Sequence, residues 1–190
     1  SDSTAKVRQA SVTGGYQYTF GRNMVNNYAD RLWEDQQEGT VRLTLMDVGQ
    51  TAVFEKTDDG YEPTGTTNSA VWDGAGLEKK PDGHFVYKQA DGTKRIFAKR
   101  NAYKHIQRVV RKEDASGNAV TITYDKDTGA VSSVTDASGN DYTFSYNNDR
   151  YVTEVNIPRI SAKWSYTYDK KGRLKSETDS RTSEVIKYHY

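Results

Sequence analysis

Three histidines, His84, His105 and His189, are the side chains of this chain whose ordinary titration lies near neutral pH, and none stands at a metal-ligand spacing of the H-x-x-x-H kind. His189 falls on the polar side of an alternating segment, so a solvated imidazole is the expected reading. The sequence holds no G-x-S-x-G elbow, phosphate loop or dinucleotide fingerprint, and no nucleophile with a nearby base. Asp125, Asp127 and Asp136 imitate the first, third and twelfth positions of a calcium loop. However, Gly129 holds the fifth position and Ala130 the sixth, and the last acid is Asp where a bidentate Glu is needed. Turn chemistry accounts for them better. Between Lys94 and Lys112 lie eight Lys or Arg and no acid, which is either a polyanion patch or charge on the wet face of edge strands, where Lys also blocks unwanted pairing. The second account is preferred, and nucleic acid is not expected as a partner. The chemistry found is therefore not that of an enzyme, and no cofactor or metal is expected.

Composition agrees with a protein that acts by shape. The 27 basic and 26 acidic residues leave a net charge of +1, so no global field calls for a nucleic acid or an anionic membrane. Only 34% of the residues are hydrophobic, yet 14 are Tyr and 3 are Trp. Burial must therefore rest on rings with a polar handle, as on a sheet with one wetter side. With no Cys, disulfides and thiolate chemistry drop out and the redox compartment is left open. No run of about 18 apolar residues crosses a membrane, and no export signal is seen. Because the chain starts in Ser-Asp-Ser and stops on Tyr190, it is expected to be a segment of a longer parent protein.

The elements that place these residues repeat. Tyr124, Tyr146, Tyr168 and Tyr190 are spaced 22 apart, and Asp114-Ala115-Ser116-Gly117-Asn118 recurs as Asp136-Ala137-Ser138-Gly139-Asn140. A period of that length marks a stack of small units. The runs 120–124, 142–146, 164–168 and 186–190 alternate bulky with small or polar residues, which predicts strands with Tyr142, Phe144, Trp164, Tyr166, Ile186 and Tyr188 on one face. Columns of rings from neighbouring repeats are expected on that face. Turn clusters at Asp125 to Gly129 and Asp169 to Gly172 lead into second strands at 131–135 and 174–178, so one period reads strand, turn, strand, turn. The unit after Tyr146 lacks the turn Gly and carries Pro158 where its neighbours have Gly-Asn, which predicts a degenerate hairpin.

Upstream of about residue 110 the period loosens. Asp58-Asp59-Gly60, Asp82-Gly83 and Asp91-Gly92 predict hairpins between strands at 41–45, 51–55, 85–87 and 95–97. Residues 61–76 read as a long loop around a short strand at Val71 and Trp72. Met24, Tyr28, Leu32 and Trp33 stand at a spacing that also fits a helix. The predicted class is all-β: stacked antiparallel hairpins in a curved, extended sheet of nine to twelve strands. Irregular hairpins (1–110) lead into 22-residue repeats (111–190), with the two parts continuous.

The order Tyr124-Asp125, Gly129, Asp136, Gly139, Tyr142, Tyr146, Trp164, Tyr168-Asp169, Gly172-Arg173-Leu174, Asp179 and Tyr190 resembles the Rhs or YD-repeat family, whose motif runs Tyr-Asp, Gly-Arg-Leu, Thr-Asp and Gly. The match covers residues 114–190. Gly21-Arg22-Asn23, Tyr28, Arg31-Leu32 and Val41-Arg42-Leu43 are similar to the segment before the first repeats. Tyr146 followed by Asn147, and Gly129 followed by Ala130-Val131, depart from the pattern. The resemblance implies one section of a hollow shell of a secreted or surface bacterial protein, enclosing or presenting a toxin or other C-terminal segment of the parent chain. It also implies an aspartyl self-cleavage motif beyond the repeats, and no Asp-Pro-x-Gly core occurs here. A second reading from the residues is an adhesin or glycan-binding module whose exposed aromatics stack on sugar rings.

Overall fold

The computed structural model describes the backbone of residues 30–64, 71–100 and 103–190, and their side chains except at 99, 100 and 103–105. The readings placed on Gly21 to Tyr28 and on the His105 side chain therefore lie outside the described residues. Fifteen strands run through the rest: β1 (Arg31–Asp35), β2 (Thr40–Leu45), β3 (Gln50–Thr57), β4 (Gly60–Pro63), β5 (Gly76–Lys79), β6 (Phe85–Lys88), β7 (Lys94–Arg100), β8 (Tyr103–Glu113), β9 (Ala119–Tyr124), β10 (Val131–Thr135), β11 (Asp141–Tyr146), β12 (Val152–Ile157), β13 (Ala162–Tyr168), β14 (Leu174–Asp179) and β15 (Val185–Lys187). The all-β class holds, with more strands than the nine to twelve expected. The described residues contain no α-helix, and Leu32 and Trp33 sit on β1 with opposite faces. The chain divides into two compact units at residues 122/123.

In the first unit each strand from β1 to β7 pairs antiparallel with the next. β1 then pairs with β8 through Arg31↔Arg108, Leu32↔Gln107 and Trp33↔Ile106. The eight strands thus close into a barrel, where the residues alone predicted a curved, extended sheet for this half. The physical reason lies in alternation: Leu32, Val41, Leu43, Leu45, Phe54, Phe85, Tyr87, Phe97 and Val109 are fully buried on one side. Eight strands enclose just enough space for such side chains to fill. Val71 and Trp72 form a turn, correcting the short strand expected there, and Trp72 packs edge-on against Phe54 and Tyr87 at 5.8 and 5.7 Å. β8 is the longest strand, and its second edge is shared: residues 106–108 take β1, while 111–113 take β9.

In the second unit β10 to β15 form an up-and-down antiparallel sheet. Burial along β11 alternates between half-buried Tyr142, Phe144 and Tyr146 and exposed Thr143 and Ser145. The predicted ring face is present at Tyr142, Phe144, Trp164 and Tyr166, but the last strand stops at Lys187 with Ile186 and Tyr188 exposed, correcting the strand expected at 186–190, and the columns differ from those expected. Phe144 faces Val155, which faces Trp164, and Tyr166 faces Glu177, which faces Ile186. Rings of successive repeats lie two strands apart, roughly 9 to 10 Å, with a β12 or β14 side chain between them. The columns therefore alternate ring and non-ring side chains.

A register shift at Ser145/Tyr146 returns at Thr167/Tyr168, 22 residues on. The degenerate unit keeps this period by compensation. Its first turn closes Asn147 N–H onto Tyr151 C=O where the preceding repeat closes Asp125 onto Ala130, so it is one residue shorter. Its second turn, a 3-10 turn at Pro158–Ile160, joins Ile157 to Ala162 where the preceding repeat joins Asp136 to Asn140, so it is one residue longer.

Candidate functional site

One five-residue turn frame recurs at 80–84, 89–93, 114–118, 136–140, 147–151 and 169–173. In each, the first N–H donates to the fifth carbonyl and the fourth N–H donates to the first carbonyl. The Asp136 carboxylate accepts from Ser138 N–H and Asn140 N–H at 2.9 Å each and from Asn140 Nδ2 at 2.8 Å. Asp114 repeats this set with Ser116 and Asn118. Asp169 does so with Lys171 N–H, Arg173 N–H and the Arg173 guanidinium. These donors hold the turn carboxylates below the ordinary aspartate value: the Asn140 side chain dominates at Asp136, and the Arg173 backbone N–H at Asp169. Asp125 binds Asp127 N–H, Thr128 N–H and Thr128 Oγ1 in a longer turn ending at Gly129. Its carboxylate serves its own backbone, as turn chemistry predicts.

The motif tyrosines act as struts. Tyr146 Oη donates to Val131 C=O at 2.7 Å, Tyr168 Oη donates to Val152 C=O, and in the barrel Tyr87 Oη donates to Val71 C=O at 3.0 Å. Each hydroxyl reaches a carbonyl 15 or 16 residues upstream; Tyr146 and Tyr168 thereby tie one hairpin to the previous one, and Tyr87 ties β6 to the turn at Val71. Burial pushes the Tyr87 hydroxyl up to about 12, against the pull of Arg95, and raises Tyr168 further. Tyr142 Oη donates to Asp136 at 3.2 Å. Tyr124 and Leu174 are buried, and Tyr190 is 70% exposed with the Arg173 guanidinium 4.6 Å from its ring centre.

Gly172 shows why one repeat position must be small. Its φ is +73°, and an added Cβ would collide with the Tyr151 ring, 2.9 Å from Cε2. Tyr151 occupies the fifth position of the 147–151 frame, where Asn118, Asn140 and Arg173 bond the carboxylate of their own turns; its N–H still donates to Asn147 Oδ1 at 2.9 Å, but its side chain does not turn back. It crosses instead to stack on Tyr168, with ring centres 4.9 Å apart. The fourth position of that frame is Arg150 at φ +69°, a left-handed conformation taken by Gly in the other five frames. Asn147, Arg150 and Tyr151 thus depart from the repeat together. Beside them lies a cleft of about 680 Å³ lined by the two turns and by Tyr166. A second cleft, about 560 Å³, lies by Tyr61, Glu62, Leu77, Glu78 and Lys94 on the barrel unit.

Sequence reading missed the ionic cluster of the barrel. Asp30 is fully buried and accepts from Met46 N–H at 2.7 Å, from Arg95 at 2.6 Å and from Lys112 at 2.9 Å, while Asp47 receives Arg95 at 2.9 Å. Lys94 and Arg111 pair with Glu113. Five members of the basic run 94–112 are thus described as paired or, for Arg108, buried. Nothing local in the sequence points to Asp30, since its partners lie 65 and 82 positions away. His84 pairs with Asp82 inside one turn frame, and His189 is exposed. Among the described residues no three His, Cys, Asp or Glu converge as metal ligands. The glycan reading needs exposed aromatics, and of the three tryptophans Trp72 is buried, Trp33 is 38% exposed with Arg42 at 5.7 Å, and Trp164 is half-buried under Arg181 at 4.9 Å. No helix among the described residues is long and apolar enough to cross a membrane. Comparison with protein-family models and with curated proteins finds no match for this chain.

Proposed function

We propose that this chain is a non-enzymatic structural segment of the YD-repeat type, part of the wall with which a secreted or surface bacterial protein encloses or presents a toxin or other C-terminal segment. The observation that carries the reading is the recurrence of shift and strut: Ser145/Tyr146 and Thr167/Tyr168 share a register shift, and both tyrosines bond a carbonyl of the previous hairpin. Such a unit adds to its neighbour by backbone pairing and one hydroxyl. It needs no catalytic group, and a single hairpin of this kind would be unstable alone. The wall reading rests on residues 123–190, because the barrel strands are closed upon themselves. Limited proteolysis of the parent protein tests it: the segment following the repeats should resist cleavage until the repeats are unfolded. Cleavage of that segment at the rate of its isolated form would overturn the reading.

A further inference from the structure

We propose that the outer face of the barrel, where β1 closes onto β8, binds a phosphate group, free or carried by an organic monoester, on Arg31 with Thr44 and Thr51. Alternation along β1 sends Leu32 and Glu34 into the barrel and leaves Arg31 and Trp33 on the other side. Cross-strand register then sets Ala98, Arg108, Arg31, Thr44 and Thr51 in one row over β7, β8, β1, β2 and β3. Ile106, Trp33, Arg42 and Val53 form the row beside it. These two rows hold three arginines and no acid. The next row brings Asp35 and Glu55, but Asp35 is already engaged by the N–H groups of Gln37 and Glu38.

Two observations carry the site. The first is charge: Arg31 and Arg108 stand directly opposite each other on paired strands, an arrangement of like charges that destabilises a sheet. Arg31 is half-buried and Arg108 is 7% exposed, so water screens them poorly. Burial, and then the Arg108 charge, push the Arg31 guanidinium below its ordinary value. Arg95, also half-buried, is pushed the other way by Asp47 and Asp30, whereas among the described residues the Arg31 guanidinium makes no hydrogen bond or ion pair. The second is the donor set. Thr44 and Thr51 share one hydrogen bond at 3.0 Å, which uses one hydroxyl proton and leaves the other to donate. A guanidinium fork with a hydroxyl beside it matches the terminal oxygens of a phosphate, and the adjacent Arg108 charge suits a dianion better than a carboxylate. Trp33, 38% exposed, and half-buried Ile106 offer an ester's organic group an apolar surface. Arg31 lies outside the basic run 94–112, and one free fork holds a small dianion, not a polymer. The proposal is independent of the wall reading, since it concerns the barrel alone.

The test is a titration of the whole 15N-labelled chain with inorganic phosphate, phenyl phosphate and acetate in turn, at one ionic strength, followed by amide and arginine Nε shifts. The expected result is saturable shifts at Arg31, Thr44 and Thr51 with both phosphates, with a Kd of about 1 mM, and none with acetate. Phenyl phosphate binding about tenfold tighter, with shifts reaching Trp33 and Ile106, identifies an ester as the ligand. Equal binding of the two identifies free phosphate. Arg31→Gln should abolish the shifts at Thr44 and Thr51, yet leave the melting temperature of the ligand-free chain unchanged or raised, because it removes one of two opposed like charges. Thr44→Val keeps the branched shape and should weaken binding about threefold. No saturation by either phosphate at about 20 mM, an equal response to acetate, or undiminished binding by Arg31→Gln overturns the proposal. A marked loss of stability in ligand-free Arg31→Gln overturns it as well, since Arg31 would then be satisfied within the chain.

Discussion

The barrel unit and the repeat unit are built from the same hairpin and the same five-residue turn, yet they bury their rings differently. In the barrel, Phe54, Phe85, Phe97 and Tyr87 are fully removed from solvent; in the repeats, Tyr142, Phe144, Trp164 and Tyr166 all stay half-exposed. The side chains most buried in the repeats are small aliphatics such as Val131, Val134, Val152 and Leu174. The difference is topological. Closing β1 onto β8 gives eight strands a common inside, whereas β10 to β15 are joined edge to edge and their rings are flanked by strand neighbours and, at Trp164, by the turn residue Arg181. Burial therefore holds the barrel, while turn and strut hydrogen bonds carry a larger share in the repeats.

The largest test of that contrast is Phe97→Ala. A fully buried ring packed between Phe85 and Val109 should cost about 3 to 5 kcal/mol on truncation. Hydrogen exchange read strand by strand should localise the loss to β6, β7 and β8. Asp30→Ala comes next. It strands Arg95 and Lys112 beside Asp47 and unbonds Met46 N–H, at a cost of about 3 kcal/mol or more. Its signature should be faster exchange at 31–33 and 106–108, the seam that closes the barrel. Unchanged exchange there would show that the seam holds without the cluster.

In the repeats the sharpest probe is a pair of glycines with the same backbone. Gly139 at φ +77° has open space around it, whereas Gly172 at φ +73° lies under Tyr151. Gly139→Ala should cost about 1 to 2 kcal/mol, the left-handed penalty alone. Gly172→Ala should cost about 1 kcal/mol more, because the Tyr151 ring must move as well. Tyr151→Ala should abolish that excess. Equal costs in urea titrations would mean that the stack of Tyr151 on Tyr168 has no energetic weight.

These tests also separate what was legible in the residues from what was not. The strands at 120–124, 142–146 and 164–168 could be read because alternation and Asp/Gly turns are local signals. The degenerate unit could be read as degenerate, but not as a turn one residue short followed by one a residue long. That compensation emerges only from the closing hydrogen bonds of 147–151 and 157–162. Barrel closure was invisible for a different reason: Leu32 meets Gln107 across 75 positions. No periodicity links partners that far apart. The repeat residues Tyr146 and Tyr168 were found by spacing, whereas their hydroxyl acceptors were not, since a backbone carbonyl has no letter in the sequence. Tyr151 was missed because it breaks the repeat instead of obeying it.

A smaller effect is expected from the two faces of β13. Tyr166 is half-buried, and burial beside Glu177 pushes its hydroxyl up to about 12. Tyr166→Ala should cost about 2 kcal/mol, less than the barrel phenylalanine. Thr167 lies on the exposed face, where its hydroxyl meets Ser176 Oγ at 2.6 Å. Thr167→Ala should cost about 0.5 kcal/mol or less. Comparable melting shifts for the two would contradict the assignment of faces.

The weakest expected effect is that of acid on the turns, and its sign follows from the direction of the shifts. Asp114, Asp136, Asp169 and Asp179 are held below the ordinary aspartate value by hydrogen bonds that exist only in the folded turn. Their contribution is complete above the unfolded value of about 4. It is lost as pH falls through the lower folded values, because the unfolded chain then binds more protons. Asp114 is exposed and the other three are half-buried at the surface, so each loss is small and screened by salt. Because Asp136, Asp169 and Asp179 brace turns that join strands β10 to β15, exchange at β10 to β14 should rise more between pH 5 and pH 3 than exchange at β2 and β3. Asp136→Asn keeps the acceptor oxygen without the charge and should flatten the response at Ser138 and Asn140 while leaving Asp169 unaffected. A parallel rise in both units would place acid-sensitive bonds in the barrel at Asp47 as well, where burial pulls the carboxyl up but Arg95 and Lys112 hold it below its usual range.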